Sequence, residues 1–262
     1  MDTEKLEQYS LALGVELKSL ILIQENKYCL IYEGRTPDAK CIVKQYRGTD
    51  PSLVTVEANA LLFYHELAQH SDELLDSGQP ILNAEKNLLC MGFVDGTPFS
   101  DFLYQARKDK KLQLRSENLM KILGRLVGTI CERTQQPGNE TAPFIYEYFE
   151  YSSRRLEEIP ILGRCFFSGY RRDALQIIEQ FKKAKIVPSF VHGDLVFKNI
   201  HVRDNKLGLI DFANAIYLSH PLNDIYNMRM ALGNMVLPKA FKTELLSSFA
   251  HSLGPVQFPD IA

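Results

Sequence analysis

The apolar pattern of this chain changes period along its length, and that change limits what the chain can fold into. Up to about residue 94 the two-residue period of strands dominates. LKSLILI (17–23) and YCLIYEG (28–34) are β-rich runs parted by the polar turn QENK. KCIVKQY (40–46) alternates, so Ile42, Lys44 and Tyr46 share one face while Cys41, Val43 and Gln45 share the other. Asp50-Pro51 then opens a stretch of helical spacing that runs through HELAQH. ILNAEKNLLCMGFV reads as a hairpin. It leads into DGTPFSDFL, whose Asp95-Gly96 and Thr97-Pro98 mark a linker. Beyond it the spacing becomes helical. SENLMKILGRLVGTICERT gathers Leu119, Ile122, Leu123, Leu126, Val127 and Ile130 on one face, with Ser116 as its N-cap. GYRRDALQIIEQFKKAK, LNDIYNMRMAL and KAFKTELLSSFAH read as three further helices, and short β-like runs return only around 191–211. The expected fold is α+β and bilobal. A small sheet-rich lobe would occupy 1–95 and a larger, mainly helical lobe 96–262, with a ligand cleft between them.

Composition removes several functions. The 262 residues carry a formal charge of only −2, which argues against a nucleic-acid surface. No apolar run approaches the roughly 18 residues of a membrane span, and the polar, acidic start MDTEKLEQYS is not a signal peptide. Five dispersed cysteines (Cys29, Cys41, Cys90, Cys131 and Cys165) form no Cys-x-x-Cys pair, which fits reduced thiols in the cytoplasm. HELAQH imitates a zinc helix, but His65 and His70 are five apart and diverge by about 140° around a helix. Neither a glycine-rich P-loop, a dinucleotide fingerprint nor a Gly-x-Ser-x-Gly elbow is present. Phosphate chemistry in this chain therefore has to work without a glycine cradle.

One constellation survives. VHGDLVFKNI (191–200) places an Asp and an Asn five residues apart in a loop between apolar runs, and GLIDF puts a second carboxylate at the end of a strand-like segment. Phosphoryl transfer from ATP needs a carboxylate for the acceptor's proton, magnesium ligands and a cation on the phosphates. Asp194 suits the first task, and the oxygens of Asn199 and Asp211 suit the second. Lys44, held by Glu57 from the next helix, suits the third. Asp and Asn also favour turns, so turn capping is the plain alternative for Asp194, Asn199 and Asp211.

With those residues in view, the chain resembles the aminoglycoside phosphotransferase and choline kinase-like kinases, relatives of the protein kinases. HGDLVFKNI is similar to their catalytic loop and LIDFANA to their metal segment. IVKQY, VEANAL and CMGFVDGTPFSDFL resemble their Lys strand, Glu helix and hinge. The resemblance runs from about residue 17 to 230. It implies a protein-kinase-like fold with ATP between the lobes, Asp194 as catalytic base, Asn199 and Asp211 on Mg2+, and Lys44 on the phosphates beside Glu57. Backbone groups of Gly92 and Val94 would bind adenine, with Ile42 packing on the ring. His192 would brace the loop, and Asp224 would support it from a helix start.

The expected activity is transfer of the γ-phosphate to a hydroxyl of a small molecule of the aminoglycoside, amino-alcohol or sugar class. The alternatives are a nucleotide-binding pseudokinase with a regulatory role and, third, a protein kinase. Three departures from the family bear on this. QENK has no glycine, Gly92 replaces a frequently acidic hinge residue, and Val196 stands where many relatives have His or Gln. Lys198 is open between phosphate contact and plain solvation. FIYEYFEYSS (144–153), with Glu147 and Glu150, is open between an acceptor pocket and an ordinary helix.

Overall fold

The computed structural model describes residues 3–48, 51–135, 187–219 and 222–254. Strands β1 (Ser19–Glu25), β2 (Cys29–Arg35) and β3 (Lys40–Tyr46) form an antiparallel meander, and the hairpin of β4 (Ile81–Asn83) and β5 (Leu88–Gly92) completes a sheet of order β1-β2-β3-β5-β4. The alternation read in 40–46 holds. Cys41 and Val43 face one cluster with Tyr32, Leu88 and Cys90, whereas Tyr46 joins the main core.

Helix α1 (Thr3–Leu13), which the polar start concealed, covers the first cluster with Leu6, Tyr9 and Leu13. Those three residues stand three and four apart, the spacing of one helix face, inside a segment too polar to draw attention. Helix α2 (Ser52–Gln69) covers the opposite face with Val54, Ala58, Leu61 and Tyr64. Tyr64 also reaches the second half of the chain. Its hydroxyl donates to Leu75 O (3.1 Å) and accepts from Leu209 N (3.2 Å).

The expected linker is itself a strand. β6 (Thr97–Pro98) pairs with β8 (Ile200–Arg203), which pairs with β9 (Lys206–Leu209). Gly96 precedes β6 at φ +151°, where a Cβ would stand 2.8 Å from Val202 O, so this approach demands glycine. Helices α3 (Phe99–Ala106) and α4 (Lys110–Thr134) follow. Ser116 does not cap α4. Asp109 does, accepting from the amides of Lys111 (2.8 Å) and Leu112 (3.2 Å), so the helix begins two turns earlier. Ser116 instead donates to Leu112 O (2.8 Å) from inside the helix. β7 (Ser189–Val191) pairs with β10 (Ile216–Ser219), and α5 (Leu222–Asn234) and α6 (Lys239–Ala250) close the described chain. The helix read at 169–185 and the stretch 144–153 lie outside the described residues.

Cys29, Cys41, Cys90 and Cys131 are free and buried. Among the described residues no helix is long and apolar enough to cross a membrane. α4 packs on α6 through two glycines one turn apart. A Cβ on Gly124 would overlap Phe249 O, and one on Gly128 would overlap Leu253 O. Backbone atoms cannot rotate aside, so overpacking should outweigh the helix propensity that alanine adds. We expect Gly128→Ala to destabilise the protein by about 1–3 kcal/mol in thermal or urea unfolding. Gly233→Ala in α5, where a Cβ meets nothing within 4 Å, should instead stabilise by up to about 1 kcal/mol. Equal signs for the two variants would refute the packing account.

Candidate active site

The loop after β7 is shaped by its backbone before any side chain acts. Gly193 adopts φ +82°, and a Cβ there would overlap Asn214 O, so only glycine fits. The amides of His192 and Gly193 both point at Asp224, near the start of α5, and donate to its two carboxyl oxygens (2.7 and 2.9 Å). Asn227, almost one turn further along, donates to Gly193 O (3.0 Å). Asp224 is 4% exposed. Burial pushes its carboxyl up to about 7, partly opposed by the two amides.

His192 lies between this anchor and the segment that carries Asp211. Its Nε2 donates to Ile210 O (3.0 Å) and its Nδ1 accepts from Asp194 N (3.3 Å), so a neutral imidazole in one tautomer satisfies both ends. Burial drives its pKa down to about 4. The ring packs on Phe212 at 4.5 Å between centroids. The Ile210 amide donates to Asn199 O (3.0 Å), so the two segments are laced together on both sides.

The side chains that sequence reasoning selected converge here. After β7 the chain makes a short turn at Phe197–Asn199, burying Phe197 and Asn199. Asn199 Nδ2 donates to Asp194 O (2.9 Å) and Asp194 Oδ2 (3.0 Å), which turns the Asn199 carbonyl oxygen away from Asp194. Asp211 follows β9 with φ +64° and ψ +64°, a left-handed conformation that Asp tolerates better than most residues. Its Oδ1 lies 2.7 Å from Lys44 Nζ, and its Oδ2 is without a hydrogen-bond partner among the described residues.

Lys44 is 5% exposed and Glu57 fully buried. Lys44 Nζ is 2.7 Å from Glu57 Oε1 as well as from Asp211 Oδ1. The second oxygen of Glu57 accepts a short hydrogen bond from Tyr46, a residue that sequence reasoning placed on the Lys44 face but gave no role. Burial alone would lower the Lys44 pKa, but the two carboxylates more than offset it and the ammonium is held above its ordinary range. In return Lys44 keeps the Asp211 carboxyl below its ordinary range despite partial burial.

The remaining positions lie on the β3–β5 side. Ile42 pairs with Met91, and Cys41 with Gly92. The Gly92 amide donates to Ser77 O (2.7 Å) and the Val94 carbonyl accepts from His201 Nδ1 (3.0 Å), while the Val94 amide has no partner among the described residues. The turn in QENK is closed on itself. Asn26 Oδ1 accepts from the amides of Tyr28 and Cys29, both at 2.8 Å. His65 and His70 take separate partners, Asp76 and Glu66 O.

The sequence matches the model of the phosphotransferase enzyme family (APH) over residues 24–259. No curated protein matches it at a significant level. Among solved structures it is similar to amicoumacin kinase hAmiN in complex with AMP-PNP, Ca2+ and Ami, at 17% identity and TM-score 0.63, covering 99% of this chain and 79% of that one. A gentamicin complex of APH(2")-IIa gives 14% identity, TM-score 0.56 and coverages of 96% and 82%. A choline/ethanolamine kinase family protein from Mesorhizobium loti gives 13%, 0.56, and 96% and 76%. At these identities the likeness is one of fold, and it is the α+β kinase-like fold expected from the resemblance.

The His192–Asp224 pair has a measurable signature. Unfolded, His192 gains a proton below about 6.5 and Asp224 loses one above about 3.9. Folded, those values sit at about 4 and about 7. As pH rises from 4 to 6.5, His192 therefore adds stability while Asp224 removes it, each by up to about 1.4 kcal/mol per pH unit, and the two nearly cancel. Relative to the parent, Asp224→Asn should become more stable with rising pH over that window and His192→Gln less stable. Urea titrations at half-unit steps read both, and parallel curves for all three proteins would refute the buried neutral pair.

Proposed function

The chain belongs to the phosphotransferase enzyme family, and on that premise we propose that it transfers the γ-phosphate of ATP to a hydroxyl of a small molecule. The observation that supports this reading most is Lys44, 2.7 Å from both Glu57 and Asp211, because it brings the cation of the first sheet to the segment that carries the other reactive groups.

Lys44 has three N–H donors. Two are engaged by Glu57 and Asp211, leaving one for an α- or β-phosphate oxygen. Asp194 is half-buried beside Asn199, positioned to accept the acceptor's proton. In the step, the hydroxyl oxygen bonds to the γ-phosphorus as the bond to the β–γ bridging oxygen breaks. The proton passes to Asp194 and the bridging oxygen leaves with ADP. The adenine edge would meet the Gly92 carbonyl and the Val94 amide, with Ile42 against the ring.

Asn199 and Asp211 fit a magnesium ion. Both are hard oxygen donors, the Asn199 side-chain oxygen accepts no hydrogen bond among the described residues, and Asp211 Oδ2 has no competing partner among them. Bound there, the ion would neutralise charge on the phosphate oxygens. On this reading residues 1–95 hold the nucleotide and 96–262 the catalytic loop and acceptor. Four buried free thiols suit a reducing cytoplasm.

The acceptor class follows from chain lengths. Only ten residues separate Asp211 from the helix that begins at Leu222, and β10 occupies part of them. That leaves little chain for a peptide platform, whereas the segment 99–190 is long enough to wall off a pocket and exclude water. Incubation with labelled ATP and magnesium should therefore label an aminoglycoside, amino-alcohol or sugar and leave casein unlabelled. Asp194→Asn should lower that turnover by about 10²–10⁴-fold with ATP still bound. Labelling of casein alone would favour a protein kinase. ATP binding with no turnover on any acceptor would favour a pseudokinase.

The metal assignment has its own test. Asp211→Ala should abolish turnover and weaken magnesium-supported ATP binding. Excess magnesium should rescue Asn199→Ala better than Asp211→Ala, because only the aspartate contributes charge. ATP affinity indifferent to magnesium in the parent would refute the ligand set.

A further inference from the structure

We infer that Lys198 grips the transferred phosphoryl group, supplying at the γ-phosphate the positive charge that the β1–β2 turn does not provide. This inference rests on the phosphotransferase reading above.

A turn over a triphosphate can offer backbone amides as donors, but here the Asn26 carboxamide takes those of Tyr28 and Cys29 (2.8 Å each), and the Asn26 amide donates to Cys29 O (3.0 Å). Lys27 in that turn lies over the Tyr28 ring at 4.5 Å. Lys44 has one donor to spare and is fixed deep between Glu57 and Asp211. The charge that builds on the γ-phosphoryl oxygens during transfer therefore needs another cation.

The turn at Phe197–Asn199 buries the residues on both sides of Lys198 and leaves Lys198 outermost. Its Nζ is 3.9 Å from Asp194 Oδ2, inside ion-pair range but beyond hydrogen-bond range, and its side chain is 69% exposed. It makes no hydrogen bond among the described residues. A phosphoryl group passing to an acceptor at Asp194 would lie within reach of this flexible ammonium. The ammonium thus stands beside the carboxylate assigned as base rather than clear of the site. Val196, two residues earlier, has no donor to offer.

The experiment compares the full chain with Lys198→Ala and Lys198→Arg, measuring turnover and, by calorimetry with magnesium, the affinities for ATP and ADP. Exposure of Lys198 makes both variants fold normally, checked by an unchanged Tm. Lys198→Ala should lower kcat by about 10²-fold, the scale of removing one donor to transition-state charge. It should weaken ATP binding while leaving ADP binding unchanged, because ADP lacks the group being gripped. Lys198→Arg should recover most of both losses. An unchanged kcat in Lys198→Ala, or an equal weakening of ATP and ADP, would overturn the inference. A parent that turns over, loses turnover in Asp194→Asn and keeps it in Lys198→Ala would refute this role alone. A parent that binds no ATP would refute the phosphotransferase reading, and the inference with it.

Discussion

Burying the Glu57 carboxylate is the constraint from which the site's arrangement follows. A carboxylate with no exposure is costly unless both oxygens are paired, and here one takes Lys44 and the other Tyr46. Both partners come from the same face of β3, two residues apart, so the strand register and the position of α2 are fixed together. Lys44 extends the arrangement to Asp211, beyond β9. Such a triad adds little net stability, because desolvation consumes most of its attraction. Losing any one member, however, would leave a buried charge uncompensated. It secures uniqueness of arrangement: β3, α2 and the end of β9 can meet in this way and in few others.

Around the loop at 192–194 the opposite solution is used. Instead of pairing charges, burial removes them. Burial keeps His192 neutral, with its two ring nitrogens satisfied by Ile210 O and Asp194 N, and burial raises Asp224 to about 7 against the pull of the loop's amides. The side chains of Lys44, Asp194, Lys198 and Asp211 thus stand together on one side, with scaffolding whose charge burial disfavours behind them. A reaction that moves negative charge is served by such a gradient, since fixed dipoles and cations are then aimed at one place.

Much of this was legible in the sequence. Alternation in 40–46 put Lys44 on the correct face, and the fixed spacing within 191–211 brought Asp194, Asn199 and Asp211 together. Local signals failed where a nonlocal partner decides. Tyr46 was visible as a same-face residue, yet nothing in its surroundings says that a glutamate eleven residues later has a free oxygen for it. α1 was hidden because three apolar residues among polar ones look like solvent-facing chain until a sheet face needs a cover. The start of α4 was misplaced because Ser116 and Asp109 both have capping chemistry, and the winner depends on which backbone amides the fold leaves open. At Gly96 the sequence marked a bend, but only the path of β8 shows that the bend is also an approach too close for a side chain.

That approach bears on how the two halves can move. A flexible tether would allow them to swing, but here the crossover segment is stitched into the β8–β9 sheet and wedged by Gly96 against Val202 O. Tyr64 and the hydrogen bond from Leu75 N to Leu207 O (2.8 Å) add a second attachment on the α2 side. With two attachments at separate places, a wide clam-like gape would have to tear hydrogen bonds. Small sliding of packed surfaces would not. The two attached parts therefore behave less like a jaw than like a vice whose travel is short.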